Sequence, residues 1–140
     1  VPRTRTAGVI ATTSLLALAL SGCSVVSAFT PHVEAEIFDT AKDMKASGTS
    51  AFGSPGFIPD DATIIRVDFD RQNGSAILTY TSPTIVVPKV CTKETAVPKP
   101  PIEDSWWPVD GLPAKAYGCP NGWTVFNIGQ QVWAAKAPTS

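Results

Sequence analysis

The chain has 140 residues, with 11 Lys+Arg, 12 Asp+Glu and a single His, and 44% of its residues are hydrophobic. That balance argues against nucleic acid as a partner, because such binding rests on clustered Lys and Arg that neutralise phosphates. The length and apolar content fit one small folded domain, not two, and do not fit a disordered chain.

The chain opens with Arg3 and Arg5, runs through uncharged apolar residues from 7 to 20, and reaches Leu20-Ser21-Gly22-Cys23. Basic, apolar and small residues in that order make a secretory signal peptide. The run is shorter than the roughly 20 apolar residues that span a bilayer. A buried core helix is the other reading of a short apolar run, and the order of features favours export. Thr4 separates the two arginines, so the general secretory route is expected in place of the twin-arginine one.

Leu20-Ser21-Gly22-Cys23 resembles the lipobox of bacterial lipoproteins, in which a Leu and two small residues precede an obligatory Cys. The resemblance implies that Cys23 receives a diacylglycerol on its thiol, that cleavage falls between Gly22 and Cys23, and that the new amino group can also be acylated. Residues 1–22 would then be the signal peptide, 23–31 a lipidated tether and 32–140 one extracytoplasmic domain, held at the cell membrane by acyl chains. Two chains suffice for stable anchoring. Losing Arg3 and Arg5 leaves nine Lys+Arg against 12 Asp+Glu, a net charge near −3, which argues against a polybasic contact with anionic lipid. Cysteine counting agrees: three is odd, and with Cys23 lipidated, Cys91 and Cys119 can pair in an oxidising compartment. Two buried free thiols remain the alternative, since pairing geometry is not written in sequence.

In the remainder, Thr30 and Pro31 suit a helix cap and first helical position. Val33, Ile37, Phe38, Ala41 and Met44 recur at three- and four-residue steps, predicting a helix over residues 32–46 that Gly48 ends. Residues 47–61 are rich in Gly, Ser and Pro and read as a loop pinned by Phe52, Phe57 and Ile58. The period then becomes two: residues 63–70 and 75–81 are predicted strands joined through Asn73-Gly74, a strong hairpin signal. Their alternation suits an antiparallel sheet covered on one face. Residues 85–91 suggest another strand limited by Pro83 and Pro88, residues 97–113 a Pro-rich connection, and residues 123–127 and 131–135 a second hairpin. The expected fold is α+β: one N-terminal helix packed on a bent antiparallel sheet of about five strands, with one disulfide.

Chemistry-bearing residues are few. Asp68 to Gly74 lacks calcium-loop spacing, since Gly74 falls one place late and Thr79 stands where the closing Glu belongs, so it reads as a polar hairpin end. One His, one lipidated Cys and a cysteine pair assemble neither a nucleophilic site nor a zinc site, and no metal or other cofactor is expected. Trp106 and Trp107 lie beside Glu103, Asp104 and Asp110. Aromatic faces beside carboxylates can hold a sugar or a peptide. Against that, Trp107 and Trp123 can simply fill the core of a small domain. If the segment is extended, adjacent Trp side chains point to opposite sides, so one of the pair should be partly exposed. A hydrolase needs two carboxyls at a defined separation, which sequence does not fix for Asp60, Asp61, Glu103, Asp104 or Asp110, so the expectation is non-enzymatic.

The stretches PDDATIIRV, WWP and CPNGW are similar to segments of small lipoproteins of high-GC Gram-positive bacteria, a likeness that implies no activity and carries over no functional residue. The expected function is a membrane-anchored binding module for a cell-wall glycan, sugar or peptide; the alternative is an accessory subunit docking on an envelope protein complex.

Overall fold

In the computed structural model, which describes residues 32–139, Val33–Thr40 form a strand, β1, where a helix is expected. Only the end of the segment is helical: Ala41–Ser47, α1. The misreading has a physical cause, because a four-residue step such as Val33–Ile37–Ala41 fits a strand face, where every second residue aligns, as well as a helix face. Eight residues of strand gain a full ladder with β2, Thr63–Asp70, in register from Val33 opposite Asp70 to Thr40 opposite Thr63. A short isolated helix has no comparable partner. Thr40 ends the strand and caps α1, its hydroxyl accepting from the Asp43 amide at 3.2 Å. Gly48, at φ 87°, closes the helix as expected.

The first hairpin forms as its turn residues dictate. β2 pairs with β3, Ala76–Thr81, and Gly74, at φ 71°, donates to the Asp70 carbonyl at 2.9 Å. The second hairpin, Trp123–Ile128 (β6) with Gln131–Lys136 (β7), turns at Gly129. Two strands were not foreseen, β4 (Lys93–Thr95) and β5 (Ala116–Gly118). Each is three residues long, too short for periodicity to register. Residues 85–91 are not a strand. Pro83 and Pro88 withhold ladder donors, and the segment is held as a loop by the Val87 amide on the Phe57 carbonyl and by the Tyr80 hydroxyl on the Ile85 carbonyl. Burial raises the Tyr80 hydroxyl far above its ordinary value, and the Asp61 charge adds to this.

The result is a mostly-sheet domain, not a helix on five strands. All seven described strands make one antiparallel sheet in the order β1-β2-β3-β7-β6-β5-β4. β7 returns beside β3 and joins two meanders, Ala76 facing Lys136 and Thr81 facing Gln131. Cys91 and Cys119 are disulfide-bonded, tying the 82–92 segment to the residue after β5.

Both sheet faces are covered, where one is expected to be. The larger core joins Ile65, Val67, Phe69, Leu78, Tyr80, Trp123 and Val132 to Met44 of α1 and to Phe52, Phe57 and Ile58 of the following loop. That loop is pinned as its composition suggests. The second core lies on the opposite face, where Ile77, Phe126 and Ala135 meet Ile102 and Trp107 of the Pro-rich connection. Asp68, Ile77 and Ala135 are cross-strand neighbours there, and this shared face positions the site.

Candidate functional site

The Pro-rich connection crosses the second face because its prolines forbid helix and ladder while Ile102 and Trp107 offer apolar anchors. Trp107 is only 7% exposed and packs edge-on against Phe126, ring centroids 5.6 Å apart. Phe126 stacks on Trp133 at 5.8 Å. Trp107 is thus a core residue and is removed from the ligand-contacting set; Trp123 is likewise buried, against Phe57.

Trp106 is half-buried; the pair sits in a turn, not on an extended segment, with the two ring centroids 6.4 Å apart, and Trp106 packs on the edge of the same second core. Its carbonyl accepts from the Trp133 indole at 3.3 Å, and the Arg66 guanidinium lies 5.9 Å from its ring centroid, within cation–π range. Asp104 builds the turn that presents it. Its carboxylate accepts from the Trp106 amide at 3.3 Å and from the Ser105 hydroxyl at 3.2 Å, and its carbonyl accepts from the Trp107 amide at 3.2 Å.

Beside this turn lies a groove of about 350 Å³ lined by Val33 and Ala35 of β1, Asp68 and Asp70 of β2, and Pro101, Ile102, Glu103 and Asp104 of the connection. Glu103 and Asp104 are therefore brought to one site. Asp110 is exposed and does not line it, and Trp106 lies beside the lining residues without being one of them. Asp60 and Asp61 lie elsewhere: Asp60 pairs with Lys45, and Asp61 accepts from the Ser82 and Thr84 hydroxyls, which hold its carboxyl below the ordinary range.

Asp68 is the residue that reading the sequence misplaces. It is not a solvated hairpin end: it is 5% exposed and lines the groove with Asp104. Burial pushes its carboxyl up to about 6, the hydrogen bond with Asp104 and that residue's charge add to this, and Arg66 and the Trp106 indole N–H pull the other way. Burial also acts to raise Asp104, but its hydrogen bonds with Asp68, the Trp106 amide and Ser105 outweigh it and leave that carboxyl below its usual value. The groove thus offers acceptor oxygens over an apolar floor, with an aromatic ring alongside, an arrangement that recognises hydroxyl, amide or ammonium donors on a ligand with apolar faces. Among the described residues, no group of three or more His, Cys, Asp or Glu is placed to hold a metal ion.

The lipobox and Cys23 fall outside the described residues. No protein-family model, curated protein or solved structure matches the chain, so the functional reading rests on this geometry.

Proposed function

We propose that the protein is a lipid-anchored, extracytoplasmic, non-enzymatic binding module whose acidic groove and Trp106 take a cell-wall glycan, sugar or peptide. The observation that carries the reading is the convergence of Asp68, Asp70, Glu103 and Asp104 on one groove beside a half-buried Trp. Hydroxyls and amines of wall polymers donate to such carboxylates, and the ring faces of sugars lie on Trp. The anchor supplies the location: acyl chains on Cys23 hold the domain at the outer face of the membrane, and no helix among the described residues is long and apolar enough to cross it.

Binding is tested by co-sedimentation with insoluble purified cell wall. The native protein is expected in the pellet, and Glu103→Gln and Trp106→Ala each shift at least half of it to the supernatant. Equal pelleting of all three would place binding elsewhere. Anchoring is tested separately, by labelled fatty acid: Cys23→Ser is expected to incorporate none, and incorporation by that variant would remove the lipid anchor from the account.

A second reading draws on β1. It is an edge strand with no neighbour on its outer side among the described residues, and Ile37 on it is 63% exposed. An unpaired edge with an exposed apolar side chain accepts an added strand, which supports docking on an envelope protein.

A further inference from the structure

The edge of β1 and the acidic groove meet on one surface. Residues directly opposite each other in an antiparallel ladder share a sheet face, so Val33, Ala35 and Ile37 lie on the face of their partners Asp70, Asp68 and Arg66. Val33 and Ala35 line the groove together with Asp68 and Asp70, and Ile37 continues that row along the edge, 63% exposed.

The backbone is turned to suit. The Arg71 amide donates to the His32 carbonyl at 3.2 Å, one step beyond the Val33 and Asp70 pair. Antiparallel pairs alternate between bonded and unbonded, so the even-numbered residues of β1 bond to β2. The N–H and C=O groups of Val33, Ala35 and Ile37 therefore point outward, where no described strand pairs with them.

We propose that the groove and the β1 edge together take an extended cationic peptide, which adds to β1 as an antiparallel strand and passes its basic side chains over Ala35 into the groove. The proposal rests on the groove reading above and narrows its ligand to a peptide.

Spacing and charge select this occupant. A residue that bonds to Ala35 has its side chain on the groove face, two strand spacings, about 9.6 Å, from Asp68. An extended Lys side chain and the Asp68 carboxylate together close that gap, and Ala35 is small enough to let the chain pass. Asp70, Glu103 and Asp104 line the same groove, and Glu36 and Asp39 add negative charge along the strand. Arg66 stands opposite Ile37 and repels a cation there, so the ligand residue beside Ile37 is apolar. An antiparallel ligand then reads apolar, spacer, basic, spacer, basic from its N-terminus. A glycan offers no alternating row of N–H and C=O groups to match the edge.

The probe is a fluorescein-labelled peptide, Thr-Val-Thr-Lys-Thr-Lys-Thr-amide, titrated with the native protein and followed by anisotropy. Saturable binding is expected. Methylating the backbone nitrogen of the first Lys, which faces Ala35, should weaken binding about tenfold, whereas methylating that of the next Thr, which faces solvent, should change it less than about twofold. Glu103→Gln, and Ala35→Lys at an exposed edge position, should each weaken it about fivefold or more. No saturable binding, equal losses from the two methylations, or binding unchanged in either protein variant overturns the proposal. Wall pelleting requires no strand addition. Glu103-dependent pelleting by a protein that ignores the peptide would therefore overturn this proposal alone, and the predicted peptide binding without pelleting would support it while removing the cell wall as the source of the ligand.

Discussion

Trp107→Ala is expected to cost the domain about 3–5 kcal/mol, a large part of the roughly 5–15 kcal/mol that holds a small domain together. Truncation would leave a hollow between Ile102, Phe126 and the sheet, and that core is too small to close over it. Trp106→Ala is expected to cost only about 1–2 kcal/mol, because a half-buried ring forfeits less transfer free energy and one exposed cation–π contact. Urea denaturation of the two variants measures the difference directly. Equal losses would mean that Trp106 is a core residue as well, and its proposed part in ligand contact beside the groove would lose its basis.

The second large effect is at the disulfide. Replacing Cys91 and Cys119 together by Ser is expected to lower stability by about 3–4 kcal/mol, the chain-entropy value for closing a loop of this size; the bond joins positions 28 apart in sequence. The released segment is conformationally strained. It carries Ile85 and Lys89 in the left-handed region at φ 65°, a conformation costly for any side chain and more so for a β-branched one. Its other anchors are the bonds from Val87 to Phe57 and from Tyr80 to Ile85, those of Ser82 and Thr84 to Asp61 and of the Ser82 amide to the Gln130 carbonyl, and the packing of Ile85, Val86 and Val90 on the larger core. The measurement is the urea midpoint with and without reductant, expected to fall in the native protein and stay constant in the double variant. The groove is lined by β1, β2 and residues 101–104, not by this segment, so wall binding is expected to survive in the fraction that remains folded.

What was legible in the sequence is what local chemistry dictates. Asn73-Gly74 and Gly129 mark hairpin turns whose backbone few other residues adopt, and both hairpins form there. One of the adjacent Trp pair does stay partly exposed, but because a turn holds it at the rim of the second core and not because the chain is extended. What was not legible depends on distant partners. β1 is a strand because β2 is available to pair with it, and nothing within residues 33–40 separates that outcome from a helix. The groove is hidden for the same reason. Asp68 looks like a polar residue on a solvated face until a Pro-rich connection from far along the chain is laid over that face. Asp110 illustrates the converse, since nearness to the Trp pair in sequence does not bring it to the groove.

The proposed binding requires Trp106 and the groove carboxylates to act as one ligand surface. Its most direct test is a tryptophan-fluorescence titration of the protein with soluble cell-wall fragments and a panel of oligosaccharides, on native, Trp106→Ala and Glu103→Gln proteins. A saturable change in the native protein, abolished in Trp106→Ala and moved to at least tenfold higher ligand concentration in Glu103→Gln, is the predicted result. Identical titration curves for all three proteins, or no change with any fragment, would contradict the claim and leave the β1 edge as the surface through which the protein acts.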